Sequence, residues 1–286
     1  MGKIAIITDS VACLPQELAQ QYQIHIVPAG NIYFEGKLYR DWIDLNHSEA
    51  YSMLETAPDK FFTGAATPLE FLRIFKDLSQ WADAIVYIAL SSKLSTLHNM
   101  ARNARELAKE QLPQTIIKII DSRTATAAQG FIALAAARAA QENKNLSEVV
   151  EAAEKVKRKV DLYYIMETIR YVYRTGRIPR AVSNIGSRLK VKPLVTIRRG
   201  SAHVLGISTN KCKGLDRLIQ AARSKIKHQP VHLAVLHAGN PDEAENLKQQ
   251  MTAEFNCIEV WTGQFSPLMA YATGRGVIGI AFYTDS

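Results

Sequence analysis

Ala84-Ile85-Val86-Tyr87-Ile88-Ala89-Leu90, running straight into Ser91-Ser92-Lys93-Leu94-Ser95-Thr96, is the stretch that decides the fold. A continuous apolar run of strand length has no polar face, so such a strand must be covered on both sides. The serine-rich segment ends it, and Leu97–Glu110 then resumes a helical period. Upstream, Pro68–Trp81 reads as a helix with Leu69, Leu72, Phe75 and Leu78 on one face. Downstream, Thr115–Ile120 is a strand, Thr124–Glu142 an alanine-rich helix, and Asn145 with Glu148 caps a helix running to about Val160.

The pattern continues toward the N-terminus. Lys3–Thr8 reads as a strand and Pro15–Tyr22 as a helix opened by proline. Ile24–Phe34 and Lys37–Trp42 are extended around a Glu35-Gly36 turn, and Ser48–Thr56 is a short helix. Short apolar strands separated by helices need crossover connections, which gives a mostly parallel sheet. The second half changes style. Leu162–Arg174 is aromatic-rich, and Leu194–Ile197 and His203–Ser208 flank Arg198-Arg199-Gly200 as a hairpin. Gly214–Lys227, Val231–His237, Asn240–Phe255, Ile258–Trp261 and Val277–Tyr283 follow as helix, strand, helix, strand, strand. The expected fold class is α/β, with two α/β domains at 1–160 and 161–286 and the groove between them as the ligand site.

Composition narrows the function. The 286 residues are 47% hydrophobic and 22% charged, as in a folded chain rather than a disordered one. No run approaches the roughly 18 apolar residues of a membrane-spanning helix. Three scattered cysteines, Cys13, Cys212 and Cys257, form no disulfide framework or metal motif, so a cytoplasmic setting is expected. The net charge of +8 is unevenly spread. Lys155 to Lys227 holds 19 basic and three acidic residues, against 16 basic and 24 acidic elsewhere.

Several motifs fail on context. Gly274-Arg275-Gly276-Val277-Ile278-Gly279 matches a dinucleotide fingerprint in letters, but a strand follows it rather than a helix, so a tight turn is expected. The chain has no HExxH and no GxSxG, and His228 and His232 are separated by Pro230. What survives is a set of hydroxyls. Asp9-Ser10 and Asp121-Ser122 each end a strand, where they either cap the loop or reach a ligand. Ser91–Thr96 and Thr63–Pro68 each precede a helix start, where hydroxyls and backbone N–H groups suit an anion. Thr67 stands where an N-cap would. Neutral hydroxyls without a nearby general base favour holding a carboxylate or phosphate over attacking it.

With these pieces in order, the sequence resembles the DegV family of bacterial fatty-acid-binding proteins. The matching pieces are Thr8-Asp9-Ser10 with Leu14-Pro15, Phe34-Glu35-Gly36 with Tyr39-Arg40-Asp41, Ser91–Ser95, and Asp121-Ser122. Further on come Glu167-Thr168 leading to Arg174-Thr175-Gly176-Arg177-Ile178, then Lys192-Pro193-Leu194, and Thr273-Gly274-Arg275-Gly276 with Gly279. The resemblance implies one long-chain fatty acid at the junction of two α/β domains, with no other cofactor. It implies carboxylate contacts from Thr63 and the Ser91–Ser95 loop, so Thr63, Ser92 and Ser95, with Ser10, Ser122 and Thr273, are the expected ligand-binding residues. Ile165, Met166, Ile169, Leu268 and Met269 are candidates for the tail, or for ordinary core.

The resemblance also implies a separate ATP-dependent fatty acid kinase as partner, which makes acyl phosphate for phospholipid synthesis. The chain departs from the family pattern at Thr63-Gly64-Ala65-Ala66-Thr67, where one hydroxyl is lost at Gly64, at Leu94-Ser95-Thr96-Leu97, and at Ala272, which replaces a histidine. Arg170, Arg174, Arg177 and Arg180 are expected to dock the kinase or a transient anionic membrane surface. Nucleic acid is the least expected partner, since no zinc finger or RNA-binding motif accompanies the basic segment. The alternative is an acyl or phosphoryl hydrolase using Ser92 or Ser95 with Asp9 or Asp121, and with His98 three residues after Ser95.

Overall fold

The computed structural model describes residues 2–177 and 191–285. Arg180 and Ile178 lie outside the described residues. In the first half, β1 (Ile4–Asp9), β2 (Ile24–Val27), β6 (Ala84–Ala89) and β7 (Ile116–Asp121) form a parallel sheet in the order β2-β1-β6-β7. Every residue of β6 is buried, as its uninterrupted apolar sequence requires. The crossovers run through α1 (Gln16–Gln21), α3 (Pro68–Ser79) and α4 (Leu97–Gln111); α5 (Thr126–Gln141) follows β7, and α6 (Leu146–Lys159) packs on α5. Asn145 and Glu148 form the expected capping box, and Thr67 with Glu70 forms another. On α3 the buried residues are Phe71, Leu72, Phe75 and Leu78, and Leu69 points to solvent at 62% exposure.

The segment Ile24–Phe34 is not one strand. After β2 the chain breaks at Pro28, which has no N–H for a ladder, and resumes as β3 (Gly30–Phe34) in a different sheet. β3 pairs with β4 (Lys37–Arg40) through a two-residue turn in which Glu35 and Gly36 both have positive φ. Its other neighbour is β5 (Phe61–Ala65), a short strand that carries Thr63 and follows α2 (His47–Thr56). Thr63 was expected in a loop at a helix start. Pairing with Ile32 instead fixes it in a ladder.

The second half is α/β, but its sheet is mainly antiparallel. It contains β8 (Asp161–Ile165), β9 (Lys192–Arg198), β10 (Ser201–Ser208), β11 (Val231–His237), β12 (Cys257–Gln264) and β13 (Ile278–Thr284), ordered β10-β9-β8-β13-β11-β12. Only β11 and β12 run parallel, joined through α9 (Pro241–Glu254). The Arg199-Gly200 turn between β9 and β10 has positive φ at both residues, as the sequence predicts for a hairpin. Short α7 (Arg170–Thr175) and α10 (Pro267–Thr273) lie against each other, and α8 (Lys211–Ile226) covers the far face of the sheet. The glycine run beginning at Gly274 is a tight turn into β13. Gly276 has φ of 82°, and a Cβ there would stand 2.5 Å from Glu167 Cγ.

No strand of the described first half pairs with a strand of the second. The halves are joined by packing. The main hydrophobic core takes in β6, α5 and the inner face of the six-stranded sheet, whereas a smaller core lies between that sheet and α8 and α9.

Candidate functional site

A cavity of about 590 Å³ opens at this junction, within the size range of small-molecule sites. Val11, Thr63–Ala65, Leu90 and the Ser92–Thr96 loop line it from the first half. Tyr164, Val172, Thr175–Arg177, Ile197, Ala202 and Leu268–Met269 with Tyr271–Thr273 line it from the second. Most of this wall is apolar, and the polar side chains are hydroxyls with Lys93 and Arg177.

The loop at the end of β6 is shaped by its serines. Ser91 accepts backbone N–H bonds from Leu94 and Ser95 at its carbonyl, closing a turn, and its hydroxyl donates to the Gly200 carbonyl at 2.8 Å. Gly200 has φ of 86°, and a Cβ there would lie 2.7 Å from Ser91 Oγ, so the hairpin seats on this loop only with glycine. Ser92 donates its hydroxyl to Asp121 Oδ2 at 2.6 Å, and its N–H reaches Oδ1 at 3.2 Å. Burial raises the Asp121 carboxyl, but bonds from Ser92 and the Arg123 N–H outweigh it, leaving Asp121 below the ordinary range.

Ser95 accepts the Leu97 N–H at its hydroxyl oxygen, 3.3 Å away, from one residue before the N-cap Thr96 of α4. Its hydroxyl proton has no acceptor among the described residues. Thr63 is half-buried on β5, and its hydroxyl has no protein partner among the described residues. Thr273 lines the cavity but donates to the Met269 carbonyl within its own helix, at 2.9 Å, so only its oxygen lone pairs remain. Four of the six expected ligand hydroxyls therefore meet at one cavity: Thr63, Ser92, Ser95 and Thr273.

Ser10 and Ser122 do not line it. Ser10 is buried between Asp41, to which it donates at 2.5 Å, and the Ala29 N–H, from which it accepts. Ser122 closes a turn with the backbone of Thr124. The aspartates before them act as loop caps. Asp9 accepts from the Val11 and Leu90 N–H groups, Tyr87 and Gln129, and complete burial still holds its carboxyl above the usual value. Of the tail candidates, Leu268 and Met269 line the cavity, whereas Ile165, Met166 and Ile169 are packed in the cores.

The arginines divide. Arg170 is exposed. Arg174 is engaged within the molecule. Its guanidinium lies over the rings of Tyr271 and Tyr171, at 5.0 and 5.5 Å, and donates to the Pro58 carbonyl at 3.0 Å. It thus clamps α7 to α10 and to the first half, rather than standing free. Arg177 is a cavity residue, donating to the Thr175 carbonyl at 2.6 Å.

The residues that sequence reasoning missed are Tyr164, Ile197 and Ala202. They share the inner face of the six-stranded sheet, where register places Tyr164 opposite Val195 and Ile197 opposite Ala202. Alternation along Leu162-Tyr163-Tyr164-Ile165 was the available signal, but both faces of that strand are apolar.

A family model described as the uncharacterised DegV family matches residues 3–285. The chain belongs to the DegV family. A DegV domain-containing protein of Caldanaerobacter subterraneus subsp. tengcongensis is 32% identical over 251 residues, 87% of this chain and 86% of the relative. Among solved structures, DegV of Bacillus subtilis, described as a fatty acid binding protein, is 25% identical and covers 100% of both chains with a TM-score of 0.88. A Thermus thermophilus DegV family protein, described by its fatty acid binding, shares the fold at 24% identity, a TM-score of 0.90 and 99% coverage of both chains.

Proposed function

We propose that the chain binds one long-chain fatty acid in the junction cavity and presents its carboxylate to a separate ATP-dependent fatty acid kinase. The observation that carries the reading is one cavity with an apolar wall and two donor hydroxyls, Thr63 and Ser95, that have no acceptor among the described residues. Each methylene of the tail gains about 0.8 kcal/mol on burial. A buried carboxylate, in turn, needs several directed donors to offset its lost hydration. Lys93 and Arg177 add positive charge on the same wall. The B. subtilis family member, described as a fatty acid binding protein, supports the ligand class.

On this reading residues 1–160 supply the hydroxyls and 161–286 cover the acyl chain. The chain acts as a carrier in the cytoplasm, a setting consistent with its three free thiols. Arg170, Arg174 and Arg177 are the residues expected to meet the kinase or an anionic membrane surface, with Arg174 also held by Tyr271 and Pro58. The hydrolase alternative draws little from the geometry. Ser92 bonds directly to an Asp121 held ionised, a weak base for a hydroxyl, and Asp9 is enclosed by Tyr87, Leu90 and Gln129.

The test is a titration of the delipidated chain with a sixteen-carbon fatty acid, followed by addition of a fatty acid kinase and ATP. Saturable binding and kinase-dependent acyl phosphate are expected. Hydrolysis of acyl esters by the chain alone would favour the alternative.

A further inference from the structure

Tyr164 is 3% exposed, lines the cavity, and has no hydrogen-bond partner for its hydroxyl among the described residues. Desolvation alone raises the phenol's pKa, with no hydrogen bond offsetting it. Its surroundings explain why no partner is found. On its own sheet face Tyr164 stands opposite Val195 on β9 and Gly279 on β13, neither of which carries a polar side chain. The ring packs edge-on against Phe265, 6.3 Å away. Across the cavity the wall includes Val11, Leu90 and Ala125.

A buried phenol normally finds a partner, and leaving its hydroxyl unpaired carries a real cost. The neighbouring positions on the sheet face, Val195 and Gly279, offer no second polar side chain to hold a water beside the phenol. An oxygen carried on the ligand itself needs no further partners to stay there.

We infer that Tyr164 is a specificity-determining residue for a fatty acid that bears a hydroxyl or keto oxygen along its chain, away from the carboxylate. The inference rests on the fatty-acid reading and narrows it to an oxygenated acyl chain. Thr63 and Ser95 hold the carboxylate, and Tyr164 donates its hydroxyl to the second oxygen. A site built to pair with a ligand oxygen discriminates against the analogue that lacks it, since its own polar group is then left unpaired.

The test uses the delipidated full chain, octadecanoic acid, and a series of monohydroxy octadecanoic acids with the hydroxyl moved along the chain. One position of the hydroxyl is expected to give tighter binding than the plain acid by about tenfold. Tyr164→Phe, which keeps the ring, is expected to abolish that preference. The inference is overturned if the wild-type chain binds no hydroxy isomer more tightly than the plain acid. It is also overturned if the preference survives Tyr164→Phe, or if that substitution weakens plain and hydroxy acids equally, which would place the phenol at the carboxylate. Binding of neither kind of acid would remove the fatty-acid reading itself, a result distinct from binding without preference.

Discussion

The Ser91 hydroxyl donates to the Gly200 carbonyl at 2.8 Å, joining the loop that carries Ser92 and Ser95 to a hairpin more than a hundred residues away. The hairpin strands supply Ile197 and Ala202 to the cavity wall, so this one bond sets the hydroxyl loop against the apolar cover. Gly200→Ala would place a Cβ against Ser91 Oγ at a φ that disfavours any side chain. It is expected to cost about 2 kcal/mol of stability and to speed fatty-acid release. Thermal unfolding and a release assay check both. A variant as stable as wild type would show that the contact does not position the hairpin.

Thr63→Val and Ser95→Ala each remove a donor that has no acceptor among the described residues. Each is expected to weaken fatty-acid binding by about tenfold while leaving the fold intact, because neither hydroxyl donates to another described residue. Ser95→Ala also removes the bond accepted from Leu97 N–H, so its stability is expected to fall by about 1 kcal/mol. Calorimetric titration beside circular dichroism separates the two effects. By contrast, Ser10→Ala and Ser122→Ala are expected to lower stability without a specific loss of affinity, since their hydroxyls are spent inside the protein.

Asp41 gives a pH dependence with a definite sign. Burial pushes its carboxyl up to about 6, despite bonds from Ser10, Leu268 N–H and Ser266. A folded pKa above the unfolded one means that the native state binds the proton more readily. This group therefore adds stability as pH falls from about 7 toward 4, and that contribution is lost as pH rises through about 6. The shift corresponds to about 3 kcal/mol. Asp41→Asn is expected to raise stability relative to wild type more at pH 7 than at pH 4.5. Equal differences at the two values would contradict a buried carboxylate whose ionised form is disfavoured by desolvation.

Arg174 and Arg170 are expected to behave differently. Arg174→Ala removes the cation over Tyr271 and the bond to Pro58, so it is expected to lower stability by about 1 kcal/mol and hasten ligand release. Arg170→Glu reverses an exposed charge and is expected to slow kinase-dependent acyl-phosphate formation while binding stays unchanged. Turnover of Arg170→Glu at the wild-type rate would remove that residue from the docking surface.

The parallel half was legible because its strands are short, uninterrupted apolar runs between helices, and β6 with its serine loop is the clearest instance. The hairpin turns at Glu35-Gly36 and Arg199-Gly200 announced themselves through glycine. What was not legible depended on pairing between distant segments. Thr63 reads locally as a residue before a helix, and only its register with Ile32 reveals a strand. Tyr164 lies in a strand apolar on both faces, so alternation could not say which side meets a cavity. Arg174 looked like free surface charge because its partners, Tyr271 and Pro58, lie about a hundred residues away on either side in sequence. The strand-end positions of Ser10 and Ser122 suggest a ligand contact that their hydrogen bonds do not leave room for. Their short loops turn the hydroxyls back onto the protein, a preference of Asp-Ser pairs that competes with ligand contact.

Occupancy of the junction cavity by a fatty acid is decided by what the protein releases. Purified protein should be denatured, extracted with organic solvent, and the released lipid identified and quantified by mass spectrometry. About one fatty acid per chain is expected, with the yield reduced in a Thr63→Val, Ser95→Ala double variant. An empty chain that also fails to take up added fatty acid, plain or hydroxylated, would contradict it.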